Sequence, residues 1–371
     1  MTNSFINVKE IARPALVRLI ENLVFPNLIY RDYSGQFEVG KGAKIQVKKP
    51  VVLEAKDFDA SAGVETQDIA ESSVEVTLDK IATVDIEVGA LEGAVNFDDV
   101  NRLFIEPAAV ALAQKINSDG LELYKDIPYV GGTAGTTPDD LADFAEARKI
   151  LNANKVPTAG RVAIWDTEAD AKFTTIPAIV NAEKSGTTEA LRQGSIGTIF
   201  GLDNYMSQAV KKHTTGVTAA TAVKVNGAVT KGSTAIAIDG TTLAGKLIYG
   251  DVLQIGKYSY VVTADSAEAA TNAIASVAIY PAAQENIADN ATVTLIGSHT
   301  ANLAFNPNAF AFVTRPLVAP QGVQSYVTSY NGVSLRVTRG YDMKYKKEMM
   351  SMDVLYGYKT MYPELACRYL G

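Results

Sequence analysis

The sequence predicts an α+β protein with a small all-β domain inserted into it, and three observations carry this. Helical periodicity is confined to residues 7–24 and to a stretch from about 98 to 149, whereas residues 74–88 alternate apolar and polar side chains as a strand does. Residues 214–299 change texture, being rich in Thr, Ala, Val and Gly and containing no Trp, Phe, Arg or Met. Apolar, glycine-punctuated segments precede that stretch and NLAFNPNAFAFVTRPL follows it, so the host fold is split. At 371 residues, with 47% hydrophobic and 20% charged, the chain is long and apolar enough for two or three cored sub-domains.

From the N-terminus, NVKEIARPALVRLIENLV (7–24) places Val8, Ala12, Leu16, Leu19 and Leu23 on one helical side, with Asn7 and Glu10 spaced as a capping box. Pro14 lacks a donor and clashes one turn back, which predicts two short helical pieces. So small an arm has no core of its own, and its apolar face needs another surface, in this chain or a neighbouring one. KIQVKKPVVL (44–53) and VEVTLDKIATVDIEV (74–88) read as strands. The acidic EAKDFDASAGVETQDIAESS between them makes the pair a long projecting hairpin, a length of connection seldom kept without a job.

From Asp98 to about Ile127 a helical stripe runs through Ala109, Leu112, Ala113, Ile116, Gly120, Leu123 and Ile127, with Pro107 in the first turn of its long part. After VGGTAGT, Thr137 is the expected cap of a second helix opened by Pro138, Asp139 and Asp140, with Arg148 and Lys149 toward the end that the dipole favours for cations. RVAIW (161–165) is a short strand. Within 214–299, the runs AVKVNG, STAIAIDG, GDVLQIG, KYSYVVTAD, SVAIY and ATVTLIG give about six strands at regular spacing, as in a small barrel or sandwich.

The formal charge of −7 conceals its layout. Residues 1–50 are net +4 and residues 336–371 net +3, whereas in residues 51–99 thirteen acids face only Lys56 and Lys80, net −11. Such asymmetry marks a solvated acidic surface or electrostatic pairing with another chain. The single cysteine, Cys367, excludes an internal disulfide and suits a reducing compartment. The start MTNSFINVKE lacks the layout of a signal peptide, and no apolar run approaches the ~18 residues of a membrane span, so a soluble protein made in cytoplasm is expected.

Motifs for chemistry are absent or weak. In GSIGTIFGLDNYMS (194–207), the spacing Gly194, Gly197, Gly201 fits no dinucleotide fingerprint, and Ser195 directly after Gly194 fits no hydrolase elbow. The GK dipeptides at Gly40, Gly245 and Gly256 are never followed by Ser or Thr, which removes the Walker loop. His213 and His299, the only histidines, sit at the two junctions of the insert and are candidates to meet in space; without carboxylate help they make no metal site, and without a nearby nucleophile no general base. The pairs Asp57/Asp59 and Asp98/Asp99 lack EF-hand spacing. The tail interleaves Tyr341, Tyr345, Tyr356, Tyr358, Tyr362 and Tyr369 with Lys344, Lys346, Lys347, Lys359 and Arg368, a pattern that suits either a nucleic-acid surface or half-buried strand and interface residues, the second being the commoner.

The order of these parts, together with the phrases RPALVRLIENLVFPNLIYRDYSG, KGAKIQVKKP, EALRQGSIGTIFGLDNYMS, GDVLQIGKYSYVVTAD, NLAFNPNAFAFVTRPL and SLRVTRGYDMKYKKEMMSMDVLYGYKTMYPELACRYLG, resembles the major capsid protein of tailed bacteriophages. Within that group it looks most like the coat proteins of short-tailed enterobacterial phages, which carry an inserted β-barrel. The resemblance implies an N-terminal arm (1–43), an extended loop (44–96), a peripheral domain with a spine helix (97–160), an axial domain begun at 161–213, an inserted β-barrel (214–299), and axial and peripheral strands at 300–371. It implies that Gly194, Gly197 and Gly201 serve tight turns and close strand approach near the symmetry axes.

The expected function is therefore structural: an icosahedral shell around double-stranded DNA, with no catalysis, no cofactor and no metal. Implied partners are other copies in hexamers and pentamers, scaffolding and portal proteins and, in some shells, a decoration protein; DNA is enclosed without sequence-specific binding, and no membrane is involved. The location is the virion capsid, assembled in the host bacterial cytoplasm. Contacts between subunits are expected from Lys9, Arg13, Arg18, Lys48 and Lys49 of the basic segment against Asp57, Asp59, Glu65 and Asp68 of the acidic hairpin. The alternative, a bacterial surface or carbohydrate-binding β-protein suggested by the Thr/Ala/Gly-rich insert, predicts a secretion signal.

Overall fold

The computed structural model describes residues 8–32, 44–49, 72–89, 105–181, 183, 186, 189–330, 332–343 and 347–371. Two compact units divide the chain, one drawn from Met1–Ile20, Arg31–Leu112 and Ala311–Met361, the other from Glu21–Tyr30, Ala113–Phe310 and Tyr362–Gly371.

Helix α1 (Val8–Asn22) runs unbroken through Pro14, correcting the two-piece expectation. Ala12, Ala15, Leu16 and Leu19 are all buried within this same chain. Burying the two leucines contributes about 3–6 kcal/mol, which offsets the ~3 kcal/mol that an interior proline costs. Strands β1 (Lys44–Lys49) and β2 (Ser72–Thr77) pair antiparallel, Lys44 opposite Thr77, and Lys44 Nζ meets Glu75 Oε1 at 2.7 Å. The run expected as one strand stops at Leu78 and Asp79, and β3 (Lys80–Gly89) leaves for another sheet. Alternation keeps its phase across the break, so periodicity alone cannot reveal the change of partner.

Helix α2 (Glu106–Leu121) has Pro107 in its first turn and buries Ala109, Leu112, Ala113 and Ile116. It then tightens into a 3₁₀ turn, Glu122–Asp126. The tighter period moves the stripe, burying Leu121 and Tyr124 while Leu123 is only half-buried. After β4 (Val130–Gly132), helix α3 (Leu141–Ala153) is capped by Asp140 rather than Thr137. Asp140 Oδ1 accepts from the Leu141 N–H at 2.6 Å, and Asp143 Oδ2 accepts from the Asp140 N–H at 2.9 Å as part of a capping box, which puts the cap three residues past the expected Thr137. The next elements are β5 (Arg161–Trp165), α4 (Thr167–Phe173), α5 (Pro177–Val180), α6 (Glu189–Gln193), β6 (Thr198–Ile199), β7 (Leu202–Met206) and β8 (Lys212–His213).

The inserted segment supplies β9 (Val217–Thr221), β10 (Lys224–Val225), β11 (Ala235–Asp239), β12 (Thr242–Gly245), β13 (Val252–Ile255), β14 (Tyr258–Val262), β15 (Ala273–Tyr280) and β16 (Val293–Leu295). Six of these form one sheet in the order β10-β11-β15-β14-β13-β16. Its two edges meet, since the Val225 N–H donates to Ala291 O and the Val293 N–H to Val223 O, both at 2.9 Å. Inside lie Val225, Ile238, Leu253, Tyr260, Val262 and Val277, all fully buried. The ribbon β9–β12 is an addition that the sequence did not announce, because VTAAT carries no large side chain to mark its phase.

The chain closes with β17 (His299–Phe305), β18 (Phe310–Arg315), β19 (Gln324–Tyr330), β20 (Val333–Asp342), β21 (Lys347–Thr360) and β22 (Ala366–Leu370). In the first unit β21 is the centre, pairing with β18, β20 and β3. One face of this sheet buries Val337, Met350, Met352 and Val354; the other is polar, with Arg336 Nε and Nη2 donating to Asp353 Oδ2 at 2.9 and 2.6 Å. In the second unit the host sheet runs β4-β22-β17-β5-β7-β6, with β8 on β17. Phe144 of α3 and Phe173 of α4 pack on the sheet's own Trp165 and Tyr369, with Phe144 and Phe173 at 4.3 Å and Trp165 and Tyr369 at 5.6 Å between ring centroids. Of the tail residues weighed as a nucleic-acid surface, Tyr356, Tyr358, Tyr369 and Arg368 are buried, whereas Tyr341 is exposed.

Candidate functional site

A buried polar cluster lies within the second unit, where the inserted segment meets the host sheet. His213 on β8 and His299 on β17 face each other in register, their rings 5.3 Å apart and each at most 2% exposed. His213 Nε2 lies 2.9 Å from Asp251 Oδ1, and its Nδ1 lies 3.0 Å from the Tyr124 hydroxyl. Asp251 Oδ2 also accepts from the Ile248 N–H at 2.8 Å. Arg368 on β22 donates from Nε to His299 Nε2 at 2.9 Å and from Nη1 to Gly250 O at 2.8 Å, and its guanidinium lies 4.5 Å over the Tyr124 ring.

These contacts fix the protonation pattern. Arginine only donates, so His299 Nε2 must be the bare nitrogen, and Nδ1 carries the proton that it gives to Gly297 O at 2.7 Å. Burial, and then the Arg368 charge, push the His299 pKa down to about 3. Burial likewise lowers Arg368 to about 10. Two further contacts seat the insert, Tyr249 hydroxyl on Asp126 and Tyr280 hydroxyl on Glu364 Oε1 at 2.8 Å. Gly250 approaches so closely that a Cβ there would stand 2.6 Å from Lys125 Cγ. Asp251 and Arg368 escape a reading of the sequence because their partners are 38 and 69 residues away; the Gly250–Asp251 turn pair was the one local signal.

The cluster is built to hold elements together. Both histidines are spent on it, so none is left to activate Ser195, which is exposed on the rim of an open pocket of ≈ 580 Å³ lined by Leu141, Ile179, Ile196, Ile199 and Phe200. Cys367 is fully buried, and burial pushes its thiol pKa up, away from reactivity. Among the described residues no group of three His, Cys, Asp or Glu side chains is placed to hold a metal ion, and no helix is long and apolar enough to cross a membrane.

Of the residues expected at subunit contacts, Asp57, Asp59, Glu65 and Asp68 lie outside the described residues. Lys9 and Arg13 belong to α1, Arg13 being exposed, and Arg18 Nη2 meets Glu106 Oε1 of the same chain at 3.4 Å. Lys48 and Lys49 lie on β1, with Lys48 exposed. Gly194, Gly197 and Gly201 have φ of 68°, 70° and 78°, and an added Cβ would meet nothing within 4 Å at any of them. The backbone conformation therefore calls for glycine at these turns, and close strand approach, the other expected reason, does not.

The sequence profile of the family described as P22 coat protein – gene protein 5 matches residues 258–370, from within the insert through β22. No curated protein sequence matches the chain. A solved structure from Mycobacterium phage Che8 is 18% identical, with 94% of this chain and 90% of that one covered and a TM-score of 0.55. The capsid structure of the Cyanophage P-SCSP1u is 14% identical, covering 94% and 88%, with a TM-score of 0.50. The chain has the α+β fold of these phage proteins.

Proposed function

We propose that the chain is the major capsid protein of a tailed bacteriophage, a structural subunit that self-assembles into the icosahedral shell around double-stranded DNA and catalyses no reaction. The observation that carries this is the fold match over 94% of the chain to a structure described as a phage capsid. The coat-protein profile over residues 258–370 supports it, and favours kinship with the short-tailed phage coat proteins. The junction cluster fits the same reading, because its groups are consumed in mutual hydrogen bonds that hold strands in place.

In this proposal residues 1–43 are the arm, 44–96 the extended loop, 97–160 the peripheral domain, 161–213 the first axial part, 214–299 an inserted barrel and 300–371 the closing strands. Copies gather as hexamers and pentamers in the bacterial cytoplasm, with scaffolding and portal proteins as helpers, and a decoration protein where one binds. The basic Lys9, Arg13, Arg18, Lys48 and Lys49 meet Asp57, Asp59, Glu65 and Asp68 of neighbouring copies, opposite charges steering association and fixing register. Electron microscopy and light scattering of the purified protein test the reading: closed shells, partial shells or tubes are expected, and a persistent monomer across concentration, with and without a co-expressed scaffolding partner, overturns it.

A further inference from the structure

The backbone tie between β8 and β17 is short. His213 pairs with His299 and Thr300 with Lys212, the Ala301 N–H donates to Lys211 O at 2.9 Å, and beyond them the Thr215 N–H reaches only the Ser298 hydroxyl, at 3.1 Å. What reinforces this tie is the side-chain cluster, and its centre is the bare Nε2 of His299 accepting from Arg368 Nε at 2.9 Å. The groups facing His299 are Arg368 from β22, His213 from β8 and Asp251 from the turn before β13, with the Gly297 carbonyl on its other nitrogen and Tyr124 behind Arg368. A second proton on His299 would set an N–H against an N–H and a cation against a cation, in a site with almost no water. Arg368 cannot yield by shedding its own proton at neutral or acid pH, and its Nη2 is already without a partner among the described residues.

We propose that this seat is an acid-released latch: protonation of His299 at Nε2 expels Arg368 from the hydrogen bond, and the inserted segment loosens from the host sheet while its own core stays folded. The core is independent of the trigger because its buried members are apolar apart from the Tyr260 hydroxyl, which accepts from the Gln284 N–H. Below the ordinary histidine pKa the open form gains a proton that the closed form refuses. The opening equilibrium therefore rises about tenfold for each pH unit from about 6.5 downward, roughly 30-fold by pH 5.

Hydrogen exchange read by mass spectrometry on the full chain, corrected for the intrinsic pH dependence of amide exchange, tests this. Protection at Ala301 and in the residue 211–215 and 366–370 peptides should fall with a slope of one decade per pH unit between 6.5 and 4, while the β13–β14 peptides keep theirs. In His299→Gln, whose amide oxygen can accept from Arg368 but does not titrate, that slope should disappear. A flat profile at the junction in the parent protein overturns the latch by itself, whether or not the variant folds. So does an equal slope in parent and variant, which would take the trigger away from His299, or loss of junction and core protection together, which would mean global acid unfolding.

Discussion

Replacing Gly250 with alanine tests whether the insert sits on the 3₁₀ turn as described. Two costs add at this position. Its φ of +96° lies outside even the left-handed well that side-chain-bearing residues visit, a strain of about 1–3 kcal/mol. The new methyl would also stand 2.6, 2.9 and 3.3 Å from Lys125 Cγ, Cβ and Cα, and overpacking of this kind costs about 1–3 kcal/mol. Neither side can retreat easily. The Gly250 N–H is bonded to Val262 O at 2.9 Å and its carbonyl to Arg368, while Lys125 Nζ is held by Glu122 at 3.0 Å. Gly256→Ala is the control, because φ there is +60° and the nearest atom to an added Cβ is Glu285 Oε1 at 3.8 Å, leaving only about 1–2 kcal/mol for the left-handed conformation. In urea unfolding followed by circular dichroism, Gly250→Ala should lose about 2–6 kcal/mol and Gly256→Ala about 1–2 kcal/mol. Equal losses would refute the close approach, and with it the seating of the insert.

Leu253→Ala, at a fully buried position in the insert, should cost about 3–5 kcal/mol; residues 214–299 expressed alone should give a dispersed amide spectrum that this substitution collapses, and a random-coil spectrum for the parent segment would contradict the self-contained core. Asp140→Ala removes the cap of α3 and should lower stability by about 0.5–2 kcal/mol, with Thr137→Ala near neutral; the reverse order in thermal unfolding would return the cap to Thr137. Reversing Asp57, Asp59, Glu65 and Asp68 to lysine together should impair assembly at low salt. Each exposed pair contributes only ~0.2–1 kcal/mol, so the difference from the parent should vanish at 1 M sodium chloride, where the screening length is about 3 Å; unimpaired low-salt assembly makes the acidity a solubility feature.

What could be read from the sequence was whatever depended on neighbours in the chain. The strands of the insert and the α2 stripe carry a period that survives folding, and RVAIW is a short apolar run whose five residues are all buried. The misreadings share a cause. Pro14 shows only its local cost in the sequence, because the burial of Leu16 and Leu19 that offsets it depends on the fold. Leu78–Asp79 conceals a change of strand partner because β2 and β3 keep one alternation while pairing with β1 and with β21, some 270 residues on. A 3.6-residue period continued into the 3₁₀ turn puts Leu123 on the buried stripe, whereas the tighter turn leaves it half-buried. At the junction, the histidines could be suspected of meeting because both flank the insert. Asp251 and Arg368 could not be found, since an isolated Asp in a turn and an Arg in an aromatic tail have many commoner roles.

The place of β22 in the host sheet sets a timetable for synthesis. It lies between β4 and β17, touching residues 130–132 on one side and 301–305 on the other. On the ribosome every strand of the inserted segment emerges before β22 does, and the edge-to-edge closure of that segment needs only residues 223–293. The insert can thus be finished while the host sheet still has an open gap between its second-unit strands. Until residues 366–370 arrive, β4 has no partner in the sheet and Arg368 is missing from the junction. A nascent chain stalled short of residue 366 would expose one flank of β17 to any passing strand. Residues 366–370 are therefore what ties the separately closed insert to a completed host sheet.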